Sequence, residues 1–439
     1  MKQSMGFRAG RVLCLACFAA LLLFAGGWAA PAARGDELRL AIILTRHGVR
    51  APLKSNEEMA RFASQPWPKW EVAPAIQTPR GNLLIAYMGD YYRARFSGDG
   101  VLAGNPDVDG PLVFIRADND QRTVETGRIL GKSLLPAAEP AVHALPDGVD
   151  DPLFKPYKAR VGHADPLLAV ASIQGRLGGD FHSIERAYAT QIAELKAILY
   201  GPGPVPAQTP LDEPTRISPG HGEFPAFMSG IFYDSWLITD SLLLEYADGM
   251  PSPDVGWGRV NGQTLTDLLA LHELYFDLVG RTRYMAQVEG SNLASHIVDT
   301  LEQAALGQPV PGALGPTGER LVVLVGHDGN IANMGGLFDM NWWIPGTQAN
   351  PLLPGGAMIF ELWERTGQPN AYYVRTSYVS QTLDQMRGAA PLTADNPPAV
   401  SPIFVPGCSG SGPGYDAPLD SFVRQARKVI DPKFVADEN

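Results

Sequence analysis

The chain has 439 residues, of which 45% are hydrophobic and 18% charged. This length and composition allow a large core and about two or three domain-sized units. The formal net charge is −11. An acidic surface repels polyanions, so nucleic acid is excluded as an expected partner, and any anion site must be a local island of positive charge.

The first 33 residues predict an export signal. Three basic residues precede an apolar run over 12–30, and small residues follow it up to Ala33. This order is typical of a cleaved signal peptide, although the apolar run approaches the length of a membrane anchor. Cleavage leaves 32 basic and 46 acidic residues, a net charge of −14, and Cys408 as the remaining cysteine. We therefore expect a periplasmic or secreted protein with no membrane anchor and no internal disulfide.

Three apolar runs are each followed by a polar turn and then a helical pattern. They cover 37–45, 111–116 and 321–325. Two β-rich runs, 357–365 and 371–380, indicate an added antiparallel hairpin. Together they predict an α/β fold with a mixed, mostly parallel sheet flanked by helices. In such sheets the carboxyl ends of the strands line the ligand crevice.

Between about 155 and 310 the strand signal fades, and amphipathic helical patterns predict a helical insertion. A long Pro- and Gly-rich loop over 201–222 interrupts it, long enough to cover a site. The predicted helices are 184–200, 226–246, 264–283 and 291–306.

The segment 46–52 (RHGVRAP) carries the strongest chemical signal. His47 stands between Arg46 and Arg50, whose positive charges disfavour the imidazolium and keep the ring neutral and nucleophilic. After attack on phosphorus, the same guanidinium groups stabilise the phosphoryl charge. Gly48 lets the backbone approach and accept the other ring proton. The alternative is an exposed basic turn with a bystander histidine.

A second segment, 326–330 (GHDGN), also follows a predicted strand. His327 is a further donor toward phosphate, and Asp328 can protonate the leaving oxygen. Taken alone, this segment could equally be an ordinary turn.

A third segment, 118–127, places Arg122 at the start of a helix, where an arginine opposes the helix dipole unless an anion is bound there. Pairing of Arg122 with Asp118 or Glu125 is an open alternative. Arg46, Arg50 and Arg122 would form a fork of donors for phosphate.

Such a set of donors can replace a metal ion, and no metal-ligand spacing or cofactor motif occurs. We therefore expect no cofactor and no metal. The remaining histidines are expected to be surface or helix-packing residues, with His221 the first to check for substrate contact: they are 143, 163, 182, 221, 272 and 296.

The segment 46–52 and the pair His327 and Asp328 together resemble the signature of the histidine acid phosphatases, the two-domain branch of the histidine phosphatase superfamily. Within this family the chain is similar to the bacterial phytases and glucose-1-phosphatases. The likeness extends over most of the chain. It includes the segments 249–251, 256–259, 330–333, 341–342, 354–356 and 381–387.

The resemblance implies a discontinuous α/β domain over 34–157 and 284–439, with a helical insertion domain over 158–283. It also implies a phosphohistidine at His47 and Asp328 as general acid. The implied phosphate binders are Arg46, Arg50, Arg122 and His327.

Lys54 falls where the bacterial phytases hold a substrate-contacting lysine, although it could equally be a solvated loop charge. Two departures matter. Those phytases are usually rich in disulfides, whereas this chain keeps only Cys408 after the predicted cleavage. They also commonly have threonine where Gly329 stands here, which puts phytate preference in question.

The sequence thus predicts an exported, monomeric phosphomonoesterase acting on sugar or inositol phosphates, such as glucose 1-phosphate or phytate. The alternatives are a non-catalytic phosphoester-binding protein and a phosphotransferase to an acceptor other than water. We also expect an acidic pH optimum, because the acidic surface should raise the pKa of Asp328.

Overall fold

A computed structural model describes residues 35–138, 140–203 and 205–436. From Asp36 onward the chain forms one compact unit. The predicted signal peptide lies outside the described residues. Within them, none of the helices has the length and apolar character needed to span a bilayer.

A mixed sheet of eight strands forms the centre of this unit, in the order β10-β8-β7-β1-β6-β2-β3, with β9 also pairing with β8. A separate hairpin consists of β4 and β5. The strands are β1 (Glu37–Arg46), β2 (Val113–Ala117), β3 (Val142–His143), β4 (Arg216–Pro219), β5 (Ala226–Ser229), β6 (Leu321–Gly326), β7 (Ala357–Glu364), β8 (Tyr372–Ser380), β9 (Ala399–Ile403) and β10 (Ala417–Pro418).

The predicted mixed sheet is confirmed, although its parallel part is smaller than expected. Strands β1, β6, β2 and β3 pair in parallel. The pairings of β7 with β1 and of β8 with β7, β9 and β10 are antiparallel. The link between β7 and β8 is short, so it permits a hairpin but not the crossover that a parallel pair requires.

Both faces of the sheet are buried, which explains the continuous apolar runs of β1 and β6. Ile43 and Val323 face one core, which also contains residues of the helices that follow β1 and β2. Ile42 and Leu324 face a second core, shared with the helices of the segment between β3 and β7 and with the last helix of the chain.

The α-helices pack against this sheet and make up most of the segment between β3 and β6, which also contains β4 and β5. They are α1 (Asn56–Met59), α2 (Pro79–Gly98), α3 (Pro106–Asp109), α4 (Gln121–Leu134), α5 (Pro166–Arg176), α6 (Phe181–Ala187), α7 (Ala189–Tyr200), α8 (Ile231–Ala247), α9 (Gly262–Val279), α10 (Arg283–Leu306), α11 (Asp328–Phe338), α12 (Leu383–Gly388) and α13 (Leu419–Val429).

The predicted helix over 226–246 is wrong in its first turn, which is strand β5. Gly230 follows that strand and precedes α8 with φ +82°, and a Cβ there would lie 2.3 Å from the carbonyl oxygen of Pro214. The predicted loop over 201–222 accordingly contains β4, the partner of β5. The division into an α/β domain and a helical domain over 158–283 stays a prediction.

Candidate active site

Three neighbouring parallel strands end at one edge of the sheet, as the sequence predicted. Arg46 closes β1 and pairs with Gly326, the last residue of β6. Ala117 closes β2 and pairs with Val325. His47, Asp118 and His327 therefore follow adjacent strand ends, and α4 and α11 begin beside them, so the amino-terminal ends of two helices contribute positive potential to this edge.

His47 is 2% exposed. Its backbone N–H donates to the carbonyl of Gly326 at 3.1 Å. Its Nδ1 lies 2.8 Å from the carbonyl oxygen of Gly48, which can only accept, so Nδ1 carries the proton and Nε2 keeps its lone pair. Burial, followed by the charges of Arg122 and Arg50, lowers the pKa of His47 well below its usual value. The expected neutral ring and the expected role of Gly48 are both consistent with this geometry.

Arg46 and Arg50 share one buried carboxylate. Nη2 of Arg46 lies 2.9 Å from Oδ1 of Asp240, and Nη2 of Arg50 lies 3.0 Å from Oδ2 of the same residue. Asp240 belongs to α8 and is 3% exposed. Although burial alone would raise the pKa of this carboxyl, Arg50 and the other cations around it hold the pKa well below its usual range. Asp240 thus fixes the two guanidinium groups side by side.

His272 lies behind this pair, fully buried in α9. Its Nε2 is 3.7 Å from Oδ1 of Asp240, and its Nδ1 is 3.3 Å from Oε1 of Glu273. Burial lowers its pKa, but the two carboxylates outweigh burial and raise it to about 9. His272 is a helix-packing residue, as expected, and it also supports Asp240. Asp240 was not predicted from the sequence, where its one signal is that it is an acidic residue within the apolar helix α8.

Asp328 is the first residue of α11 and faces Arg46. Its Oδ2 lies 3.2 Å from Nη2 of Arg46, and its Oδ1 accepts from the N–H of Gly329 at 2.9 Å. Burial raises the pKa of Asp328, but the charge of Arg46 outweighs burial, and the pKa is lowered. The expectation that the acidic surface raises this pKa is wrong for the ligand-free site, because one adjacent guanidinium acts more strongly than distant surface charges.

His327 and Arg122 contact two carboxylates that follow β2. Nε2 of His327 lies 2.6 Å from Oδ2 of Asp118, and Nη2 of Arg122 lies 2.8 Å from Oδ2 of Asp120. Arg122 thus pairs with Asp120, and not with Asp118 or Glu125 as its spacing in the sequence suggested. The ring centroids of His327 and His47 are 5.7 Å apart. Arg122 is also the largest electrostatic contribution to the lowered pKa of His47. The site therefore gathers all four expected phosphate binders around His47.

Three of these binders keep a free donor. The Nε atoms of Arg46, Arg50 and Arg122 are buried and have no hydrogen-bond acceptor among the described residues. Buried donors are rarely left without a partner, so these three side chains retain hydrogen-bonding capacity beyond their ion pairs.

The sequence model of the histidine phosphatase superfamily (branch 2) matches residues 37–168 and 225–379. The chain belongs to this family. It is 34% identical over 387 residues to the phytase AppA of Escherichia coli (strain K12), covering 85% of this chain and 87% of that protein. It is 26% identical over 420 residues to the glucose-1-phosphatase of Salmonella typhimurium, covering 94% and 97%.

The structure of a Hafnia alvei phytase in complex with tartrate superimposes with a TM-score of 0.84 at 32% identity, over 92% of this chain and 100% of that one. The chain is thus a histidine acid phosphatase, and its substrates are phosphate monoesters.

In this histidine phosphatase, the hydrogen bond of the Lys54 side chain is to Glu58 and not to one of the residues around His47. The Lys54 side chain is 44% exposed and pairs with Glu58 at 3.1 Å. His221 lies on the exposed turn between β4 and β5. A substrate-contacting role for Lys54 stays a prediction. Gly329 is partly exposed, and a Cβ there would meet nothing within 4 Å.

Two groups of carboxylate and imidazole atoms lie close enough to hold a metal ion, in the part of the chain that the structure describes. They are Asp118, Asp120 and His327, and Asp240, His272 and Asp328. Each group already pairs with cationic side chains, the first with Lys155 and the second with Arg46. A divalent cation would therefore lie beside guanidinium or ammonium groups that repel it.

Proposed function

We propose that the protein is an exported phosphomonoesterase that hydrolyses sugar or inositol phosphates through a phosphohistidine at His47. One observation carries this proposal. A neutral, buried imidazole with a free Nε2 lies among guanidinium groups whose Nε donors have no acceptor in the described residues. A neutral nucleophile among guanidinium charges supports transfer of a phosphoryl group to His47.

In the first step, Nε2 of His47 attacks phosphorus while Arg46, Arg50 and Arg122 bind the non-bridging oxygens. The bond from phosphorus to the ester oxygen breaks, and Asp328 donates its proton to that oxygen. The incoming phosphate competes with Asp328 for the charge of Arg46, so the pKa of Asp328 should be higher in the complex than in the free enzyme.

In the second step, water attacks the phosphohistidine from the side that the leaving alcohol vacated. The Asp328 carboxylate accepts a proton from this water, the bond between nitrogen and phosphorus breaks, and inorganic phosphate leaves. His47 returns to its neutral form with Nδ1 still bonded to Gly48.

The similarity to proteins named phytase and glucose-1-phosphatase supports inositol and sugar phosphates as substrates. Lys54 is the candidate for a distal phosphate or hydroxyl group. We further propose catalysis without a metal ion, since the cationic side chains supply the charge that a metal would provide. The signal-like segment 1–33 supports export to the periplasm or the medium, and we expect a monomer.

The two alternatives make different predictions. A protein that only binds phosphoesters gains nothing from Asp328, whose carboxylate repels phosphate. A phosphotransferase shares the first step and differs in the acceptor. Adding glycerol or glucose to the assay separates a phosphotransferase from a hydrolase, because a transferase forms a new ester in place of inorganic phosphate.

The test uses the mature protein with phytate, glucose 1-phosphate and p-nitrophenyl phosphate in the presence of a chelator. We expect hydrolysis to persist with the chelator and to be abolished in His47→Ala. Asp328→Asn should slow the hydrolysis of alkyl esters more than that of p-nitrophenyl phosphate, whose leaving group needs little protonation. Activity in His47→Ala, or its loss to the chelator, would refute the proposal.

A further inference from the structure

Lys155 contacts two carboxylates that in turn contact His327 and Arg122. It lies in the turn that follows Asp151, with its backbone N–H donating to the Asp151 carbonyl at 2.8 Å. Its Nζ lies 2.7 Å from Oδ2 of Asp118 and 3.1 Å from Oδ2 of Asp120. The side chain is 23% exposed, so these ion pairs are partly shielded from solvent.

The two carboxylates that Lys155 contacts also hold phosphate binders. Oδ2 of Asp118 is 2.6 Å from Nε2 of His327. Oδ2 of Asp120 is 2.8 Å from Nη2 of Arg122 and 3.4 Å from Nε2 of His327. Asp118 is fully buried, with its second oxygen unpaired in the described residues.

The balance of charge in this cluster depends on Lys155. The Asp118 and Asp120 carboxylates contact His327 and Arg122, so they repel a bound phosphate and compete with it for these two side chains. If the two acids had only these partners, the cluster would offer no excess positive charge to a substrate. Lys155 supplies a further cation, which can stay paired with Asp118 and Asp120 when a phosphate binds Arg122 and His327.

We propose that Lys155 is a positioning residue that neutralises Asp118 and Asp120, so that Arg122 and His327 are available to bind the phosphate group. The inference rests on the proposed phosphatase function and adds a residue to its phosphate site. Lys155 does not contact the reacting atoms in this scheme, and it acts through the two carboxylates.

The first measurement is the competitive inhibition constant of inorganic phosphate, together with KM and kcat for p-nitrophenyl phosphate. In Lys155→Met and Lys155→Gln we expect phosphate binding and KM to weaken about tenfold, with a smaller change in kcat. Lys155→Arg should restore binding, because it keeps the charge. Lys158→Met is the matched control, since Lys158 lies on the same segment and pairs with Asp150 and Glu223. It should leave all three constants unchanged.

The second measurement separates charge from structure. Removing the charge of Asp120 in the double variant Lys155→Met/Asp120→Asn should recover most of the lost phosphate affinity. A purely structural role for Lys155 predicts instead that the two substitutions add their losses, with a fall in melting temperature. Unchanged phosphate affinity in Lys155→Met, or additive losses in the double variant, would overturn the proposal. A wild-type enzyme without phosphatase activity would instead refute the function on which the proposal rests.

Discussion

The protonation state of His47 is the feature on which the proposed chemistry depends. Its pKa is depressed by burial and by three arginine charges, of which Arg122 acts most strongly. The ring is therefore neutral, and able to attack phosphorus, well below pH 6.5. Protonation of this nitrogen should define the acid limb of kcat/KM, so the low pKa keeps the nucleophile active under acidic conditions.

Replacing Arg122 should move that limb. In Arg122→Gln the pKa of His47 rises toward its ordinary value, so we expect the acid limb to shift upward by about one pH unit or less, along with a lower kcat/KM. Arg122→Lys keeps the charge but loses the planar fork, so it should lower kcat/KM without moving the limb. The measurement is the pH profile of kcat/KM with one substrate for all three proteins. A limb that stays in place in Arg122→Gln would show that Arg122 does not control His47.

Gly329 offers a direct test of substrate preference. Because a Cβ at this position meets nothing within 4 Å, Gly329→Thr should fold normally and add a hydroxyl beside Asp328. We expect the ratio of kcat/KM for phytate to that for glucose 1-phosphate to rise several-fold, which corresponds to the free energy of about one hydrogen bond. Gly329→Val, of the same shape without the hydroxyl, is the control. Equal ratios in the two variants would exclude the hydroxyl as a determinant.

The site residues that were predicted from the sequence lie in short contiguous segments. His47, Arg46 and Arg50 stand in one short segment, and Asp328 follows the strand that pairs with β1. Asp240 was missed because its partners lie about 190 residues away in sequence, and only folding brings α8 behind β1. Lys155 was also not predicted, because its partners Asp118 and Asp120 belong to a distant segment of the sequence.

At the scale of elements, the five predicted strands correspond to β1, β2, β6, β7 and β8, whereas the other described strands and the start of α8 were not predicted. Buried parallel strands produce continuous apolar runs, so β1 and β6 were predicted within a residue or so. The break before α8 was missed because it depends on the close approach of Gly230 to Pro214, a contact that an apolar pattern does not encode.

Helix α8 also buries a carboxyl that should make its stability depend on pH. Glu245 is fully buried, and its Oε2 accepts from the N–H of Gly256 at 2.9 Å. Burial raises its pKa to about 8. Because this pKa is higher in the folded than in the unfolded chain, its contribution to stability is complete below about pH 4.5 and is lost as the pH rises toward 8.

Glu245→Gln should therefore stabilise the protein at pH 8 by about 2–4 kcal/mol and leave it nearly unchanged at pH 4.5. Thermal unfolding at the two pH values measures this difference. The exposed Glu71 is the control, and its substitution by Gln should not alter the pH dependence. Equal stability of Glu245→Gln and wild type at pH 8 would contradict the buried, neutral state of this carboxyl.

At the scale of the whole molecule, the buried ion pairs of Asp240 join the helical segment to the sheet. Asp240 lies on α8, within the predicted helical domain, while Arg46 and Arg50 belong to β1 and the loop after it. Removing either side of such a pair leaves an uncompensated buried charge. We therefore expect the two predicted domains to depend on each other for stability, in keeping with the single compact unit that begins at Asp36.

We accordingly expect the mature protein to unfold in one cooperative transition that is insensitive to reducing agents. Cys408 is the one cysteine among the described residues and is unpaired, and burial raises its pKa to about 11, so its thiol is unreactive at neutral pH. Calorimetry with and without a reductant should give the same single peak, and Cys408→Ala should match it. In Asp240→Ala the helical and sheet parts lose their shared charge pair, so the peak should move to lower temperature or split in two. Two separate peaks in the unaltered protein would instead mean that the domains are independent and that Asp240 serves only the active site.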